Sequence, residues 1–332
     1  MKYTESGFAL DSSDNIYLTD VSPKDKPWDV HRFQATRVKS LYRGTPYDKY
    51  ADRIDSCSGL LEFGFVLNPE TAEISLKLET VRFCRVRHCP VCQWRRQLVW
   101  RARFFQAFPK LRSQFPTARF VFLTLTLKNC QLAELRTTLT WMNKSWERLS
   151  KRKAFPALGW LRSVEVTKSQ DGTAHPHFHV LLMVPSSYFS HGYISQSKWA
   201  VMWQESLRVE YTPIVNVKAV KPKKGATEDR FADELAKALC ETLKYSVKPD
   251  DLVSDRDWLI ELTTQLHKTR AVAVGGVFKE FISDQEPEDL IHLDDENTDL
   301  SPENSVWFGW REMIGRYLKC QGSGNSSLSK DS

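Results

Sequence analysis

The chain has 332 residues, 41% of them hydrophobic and 12% aromatic, enough to bury a sizeable core and consistent with two domains plus appendages. No run of about eighteen apolar residues occurs and MKYTESGFALDSSD has no apolar centre, so membrane-spanning and secreted classes are set aside and a soluble protein of the cytoplasm is expected. The net charge of +6 hides an asymmetry: residues 1–283 hold 43 Lys/Arg against 30 Asp/Glu, so the part expected to fold is basic, as suits a nucleic-acid partner.

Residues 1–56 mix charges, prolines and aromatics without clear periodicity and read as a loosely ordered arm, with a short helix around Asp29 to Leu41. Residues 57–112 read as a cysteine-rich, zinc-knuckle-like module. Its hairpin runs from Gly59 to Arg82 and turns at Asn68-Pro69. Cys89 and Cys92 have the C-x-x-C spacing that lets two thiolates of a tight turn share a tetrahedral Zn²⁺; Cys84 and Cys57 complete the set, with His88 as a competing fourth ligand. Buried inert thiols are the plainer alternative, but three cysteines crowded between positions 84 and 92 favour metal over disulfides.

From Gln93 to Arg112 the pattern suits an amphipathic helix. Between Arg82 and Arg112 there are nine Lys/Arg and no acid, interleaved with Trp94 and Trp100. Such a run is usually only a solvated helix face; the interleaved tryptophans and the adjoining knuckle turn the reading toward phosphate contact, with Arg85, Arg87, Arg95, Arg96 and Arg101 as candidate DNA contacts.

Residues 113–283 read as one α+β domain. Phe120 to Leu127 alternates as a central strand with Thr124 and Thr126 on one face, able to reach a phosphate or orient a ligand; residues 131–153 form a helix. Trp160 to Lys168 and Ala174 to Met183 read as strands joined by S-Q-D-G-T, whose Asp-Gly signals a hairpin. In A-H-P-H-F-H-V-L-L-M, period two puts His175, His177 and His179 on one face and Phe178, Val180 and Leu182 on the other. A lone histidine there would be a packing residue; three at this spacing point to a divalent-metal site. A turn centred near Asp171-Gly172 sets Glu165 opposite His177 or His179 as the third ligand.

Further on come a helix from Ser195 to Leu207, a strand from Ile214 to Val220, and a basic turn with Lys218, Lys221, Lys223 and Lys224. Glu228 to Val247 reads as a helix with Phe231, Leu235, Leu239 and Leu243 as its apolar stripe. Glu241 and Tyr245 then lie one turn apart; from this segment alone a half-buried tyrosine is the commoner outcome. Residues 284–304, with nine acids and no Lys/Arg, read as an acidic linker, 305–320 as a short docking helix and 321–332 as a disordered tail.

Three ordered segments, F-L-T-L-T at 122–126, H-P-H-F-H at 175–179 and E-T-L-K-Y-S at 241–246, resemble the motifs of rolling-circle replication initiators of small bacterial plasmids, within the HUH endonuclease superfamily. The stretch C-x4-C-P-x-C-Q-W-R-R upstream is similar too, and coverage runs from Cys57 to Lys248. The resemblance implies an α+β HUH fold, a central antiparallel sheet flanked by helices, and metal-dependent nicking and rejoining of origin DNA. Tyr245 would form a 5′-phosphotyrosine and free a 3′-hydroxyl primer. His177, His179 and Glu165 would hold Mg²⁺ or Mn²⁺, with His175 in support. In the single-tyrosine plasmid group a glutamate one turn earlier activates water for the terminating cleavage, and Glu241 matches it. Lys244 and Lys248 would contact phosphate. Implied partners are plasmid double-strand origin DNA, single-stranded or hairpin at the nick, and the host helicase, polymerase and single-strand-binding protein. The competing readings are an HUH transposase or relaxase, a metallohydrolase without a covalent step, and a non-catalytic zinc-dependent DNA-binding regulator.

Overall fold

Apolar runs at period two build two antiparallel sheets, and stretches with apolar residues three and four apart build the helices that cover them. The computed structural model describes residues 16–67, 74–220, 228–244, 247–285, 287–291 and 305–321. In chain order the elements are α1 (Leu18–Val21), α2 (Lys26–Tyr42), α3 (Asp48–Asp55), β1 (Leu60–Leu67), β2 (Ile74–Val81), α4 (Pro90–Gln114), β3 (Arg119–Thr126) and α5 (Leu135–Ser150). There follow β4 (Gly159–Lys168), β5 (Ala174–Val184), α6 (Gln196–Leu207), β6 (Val215–Val220), α7 (Glu228–Thr242), α8 (Pro249–Val253), α9 (Arg256–Leu266), β7 (Val272–Gly276), α10 (Phe278–Phe281), β8 (Ser305–Arg311) and β9 (Arg316–Cys320).

The larger sheet has the order β6-β3-β5-β4-β7, with every pair antiparallel. In β5, at its centre, every residue except His175 is buried, as expected of a strand covered on both faces. Phe178, Val180 and Leu182 join Val164, Val166, Leu123 and Leu125 in a core with Trp146 of α5, Trp199 and Trp203 of α6 and Leu259 of α9. Leu181 and Met183 share the opposite core with Phe120, Leu161, Phe104 of α4, Leu235 and Leu239 of α7 and Phe278 of α10. Each such side chain contributes roughly 1.5–3 kcal/mol on burial. A one-residue slip of β5 would carry the histidines into one apolar layer and Phe178 out of it, so the two cores fix the register.

Residues 249–283, expected within the α+β domain but with no element of their own, supply α8, α9 and the edge strand β7. There Trp160 lies over Gly275 so closely that a Cβ would run into its ring.

The smaller sheet has the order β2-β1-β8-β9, and it corrects two expectations. Residues 305–320 are a β-hairpin, not a docking helix: β8 pairs with β1, from Leu60 opposite Gly309 to Gly64 opposite Ser305, and Gly315 takes φ +63 in the turn before β9. Val306, Phe308 and Tyr317 face inward with Leu61 and Phe63, a long-range partnership that no local pattern encodes. Nor is 16–56 a loose arm. Trp28, Ala35, Val38 and Tyr42 bury one face of α2, while Arg32, itself buried, donates to the carbonyls of Ile54 (2.9 Å) and Asp55 (2.7 Å) at the end of α3. A charged residue spent on orphan helix carbonyls breaks up the apolar periodicity, which is why the helix face was hard to read.

The start of the expected acidic linker is likewise docked, with Leu290 buried. Residue 286, residues 292–304, most of the tail, the Asn68-Pro69 turn, and Lys221, Lys223 and Lys224 lie outside the described residues. Among the described residues no helix is long and apolar enough to cross a membrane.

The buried Tyr317 hydroxyl donates to the Ser58 carbonyl at 2.6 Å and meets the Ser58 hydroxyl at 3.0 Å. Tyr317→Phe leaves that carbonyl unpaired in the core, and urea titration is expected to show a loss of about 1–3 kcal/mol at unchanged m-value.

Candidate functional site

The β4–β5 hairpin sets Glu165 directly opposite His177, and β3 sets Thr124 opposite His179 and Thr126 opposite His177. Gly172, at φ +80, makes the turn, and the Asp171 carboxylate accepts from the Thr173 backbone N–H at 3.0 Å and from its hydroxyl. The result is a convergence on one atom: Glu165 Oε2 lies 2.9 Å from His177 Nε2 and 2.7 Å from His179 Nε2, with all three residues buried.

The far sides of the imidazoles are held. His177 Nδ1 lies 3.2 Å from the His175 carbonyl, and His179 Nδ1 lies 3.4 Å from the Thr124 hydroxyl with Phe122 stacked on the ring. A carbonyl can only accept, so this bond needs a proton on His177 Nδ1, and Nε2 then meets the carboxylate either through a second proton or, in the neutral ring, through a cation held between them. Two lone-pair-bearing atoms at 2.9 Å repel unless a proton or a cation sits between them, and that donor set suits a divalent ion. Burial would push the Glu165 carboxyl up, but the hydrogen bonds from His177, His179 and Lys244 outweigh it and hold the group well below the usual carboxylate range. Burial pulls His179 down, toward the neutral, ligating imidazole. His175, half-buried, supports the pair through its backbone carbonyl, with its ring 5.4 Å from that of His177.

Just beyond the end of α7, Lys244 Nζ lies 3.1 Å from Glu165 Oε2 and 2.7 Å from Glu241 Oε1. Burial lowers this ammonium's pKa, yet the two carboxylates more than compensate and keep it charged. The Ser163 hydroxyl donates to the Thr242 carbonyl and ties the end of α7 to β4. The helix expected to reach Val247 stops at Thr242, so the expected helical spacing of Glu241 and Tyr245 does not extend through the described chain. Tyr245 lies outside the described residues, and Lys248 is exposed where α8 begins.

A second cluster gathers Cys57, Cys84, Cys89 and Cys92, all buried, from three places in the chain: the end of α3, the end of β2 and the start of α4. The Sγ separations of 3.6 Å (Cys57–Cys92), 3.5 Å (Cys84–Cys92) and 3.7 Å (Cys57–Cys89) approach the edge of about 3.8 Å of a tetrahedron of thiolates around Zn²⁺. Backbone N–H groups of Cys84, Arg85 and Val86 point at three of these sulfurs. Sulfur hydrogen bonds from Cys57, Cys84 and Cys89 hold Cys92 well below the usual thiol range. His88, weighed as a rival ligand, is not in the cluster; it is fully buried, neither ring nitrogen has a hydrogen-bond partner, and burial pushes its imidazole down to about 3.

Among the arginines expected to meet DNA, Arg95 is a correction. It is buried over Trp28 and Trp94 and donates to the Leu290 and Ile291 carbonyls, both at 2.8 Å. Arg85 donates to the Glu288 carbonyl, Arg87 to that of Thr269 at 2.6 Å and Arg96 to that of Arg85 at 3.1 Å, while Arg101 is exposed beside the Cys240 sulfur. Arg85, Arg87, Arg96 and Lys244 border one cavity, and sequence reading missed two further cations there, Arg53 of α3 and Lys268 after α9. Neither carries a local signal, because distant connections bring them in.

Protein purified without chelator is expected to carry one tightly held zinc per chain by elemental analysis, and Cys89→Ser to lose it together with several kcal/mol of stability. Zinc near zero in the unmodified chain would rule the site out.

The family model described as "Replication protein" matches residues 75–318. The chain is 34% identical over 308 residues to "Protein rep" of Streptococcus pneumoniae serotype 2, covering 89% of this chain and 92% of that protein. It is 34% identical over 298 residues to "Protein rep" of Lentilactobacillus hilgardii, covering 85% and 92%, and 30% identical over 340 residues to "Protein rep" of Bacillus amyloliquefaciens, covering 92% and 99%. No solved structure matches. The matched span holds Glu165, His177, His179, Glu241 and three of the four clustered cysteines, and it bears out the resemblance drawn from the three motifs: the chain belongs to the Rep_1 family of replication proteins.

Proposed function

We propose that this chain is a plasmid rolling-circle replication initiator that nicks and rejoins one strand of origin DNA through Tyr245. The observation that carries the reading is the convergence of His177 and His179 on the Glu165 carboxylate, on the sheet face that also receives the end of α7, three residues before Tyr245. Family membership supports the replication role, since the relatives are named as replication proteins.

In this mechanism the Tyr245 phenol oxygen attacks the scissile phosphorus in line. The phenol releases its proton to solvent as the tyrosine O–P bond forms, the bond from phosphorus to the 3′ oxygen breaks, and that oxygen takes a proton from solvent to become the primer hydroxyl. His177, His179 and Glu165 would hold Mg²⁺ or Mn²⁺, which when bound neutralises charge on the phosphate. Lys244, charged and at the rim of the same carboxylate, adds a fixed positive charge beside the phosphate. Glu241, exposed and 2.7 Å from Lys244, takes the proton from the water that ends the last cleavage, so that no second tyrosine is needed. Lys248 contacts the neighbouring phosphate. Origin DNA, opened or folded as a hairpin at the nick, is the substrate, and the helicase, polymerase and single-strand-binding protein of a bacterial cytoplasm extend the primer.

With Mn²⁺ and a single-stranded oligonucleotide spanning the nick, the protein is expected to form a covalent adduct that mass spectrometry maps to Tyr245 and that vanishes in Tyr245→Phe. An adduct surviving that change would move the nucleophile, and cleavage without any adduct would point to a water-based hydrolase. Tight binding with no cleavage at all would favour a regulator.

His179→Ala should slow adduct formation by at least 100-fold at a given Mn²⁺ concentration. Glu241→Ala should form the adduct normally yet release it at least 100-fold more slowly, the usual weight of a general base.

A further inference from the structure

Between the cysteine module and the larger sheet lies a cavity of about 270 Å³, which no step of the proposed reaction uses. Its walls come from α3, the knuckle turn and the start of α4, residues 163–164 of β4, the last residues after α7, and the connection from α9 to β7. Six cations border it, Arg53, Arg85, Arg87, Arg96, Lys244 and Lys268, with no Asp or Glu among its described lining residues. So one-signed a lining selects an anion.

Charge is not its only demand. His88, fully buried, lines the cavity with both ring nitrogens unpartnered, and Gln93, also buried, lines it with Oε1 unpartnered while its amide nitrogen donates to the Arg87 carbonyl at 2.9 Å. Buried polar atoms left alone cost about 1–3 kcal/mol each, so their place beside a cavity points to a ligand that pairs them. Hydrogen phosphate could serve the cations and offer one O–H to Gln93 Oε1, but it has no ring to lie against the aromatic walls. A nucleobase edge offers both donors and acceptors, and the rings of Trp100 and Tyr50 border the same space. The space admits one base with its sugar-phosphate, not a base pair.

Lys244 joins this cavity to the metal-type centre, since it lines the one and lies 3.1 Å from Glu165 of the other. We propose that the cavity seats a single unpaired nucleotide of the cut strand next to the scissile phosphate, the cations taking its phosphate and His88 and Gln93 reading its base. This rests on the reading of the chain as a protein that acts on single-stranded origin DNA. It makes the cysteine module part of sequence recognition, because the knuckle supplies Arg85, Arg87, His88 and Gln93.

The test measures equilibrium binding by Tyr245→Phe protein, so it does not depend on cleavage. The probes are oligonucleotides spanning the mapped nick, each with one abasic site at a successive position. One position beside the nick is expected to lose affinity about tenfold when abasic, and that penalty should disappear in Gln93→Ala and His88→Phe, both checked for retained zinc. Lys268→Gln, at an exposed side chain, should weaken every oligonucleotide alike and flatten the salt dependence by about one unit of slope. A flat abasic scan, or a penalty undiminished in both variants, overturns the proposal. A free deoxynucleoside monophosphate that binds saturably without competing with the oligonucleotide overturns it too, since the cavity would then be a separate nucleotide site. A tyrosine adduct absent from the unmodified protein would remove the catalytic reading, while a persisting abasic penalty would still support the cavity's role.

Discussion

The structure turns on a carboxylate held against two imidazoles. Glu165 is buried and ionised, and a buried charge stripped of its partners costs about 3–5 kcal/mol, so β4 and β5 must pair in the one register that brings His177 and His179 to it. Apolar packing on both faces of β5 enforces the same register independently. Chemistry and core therefore agree, and neither can shift without the other. Around that centre the chain sets Thr124 and the His175 carbonyl, which turn the rings, and the end of α7, pinned by Ser163.

The cysteine cluster works on a different scale. Cys57 follows α3, Cys84 follows β2 and Cys89 and Cys92 open α4, so one tetrahedron would gather the ends of three elements in a region whose own sheet is small. α4 leaves that cluster and runs across the larger sheet, placing Trp100 and Phe104 in its core. Orientation at one end of this helix is thus transmitted to the other, and Arg96 in its first turns borders the cavity that Lys244 also lines.

Much of the centre was legible because its determinants are local. Period two placed His177 and His179 on one face, and the Asp171-Gly172 turn fixed which residue would oppose them. The C-x-x-C spacing likewise announced half of the cysteine cluster, and its other members were named with it. What escaped was non-local or disguised. Residues 305–320 have an aromatic run that a helix or a strand could use, and only β1 decides between them. Arg95 looked like a phosphate contact because charge counts cannot tell a solvated guanidinium from one capping distant carbonyls. Arg32 hid the buried face of α2 in the same way. Arg53 and Lys268 reach the cavity from segments more than 200 residues apart in the chain, a meeting no window of sequence contains.

The pairing of β1 with β8 has a consequence for how the chain is made. Leu61 lies against Phe308, so one edge of β1 has no partner until residues 305–311 have been synthesised, long after β1 and β2 can form their own hairpin. During that interval an apolar edge with free backbone donors and acceptors is open to other chains, which is the situation that favours aggregation. Ribosomes that stop short of residue 305 would release a chain with the histidine hairpin in place but its amino-terminal sheet unclosed. Synthesis of residues 305–311 is in this sense built into the assembly of the amino-terminal sheet.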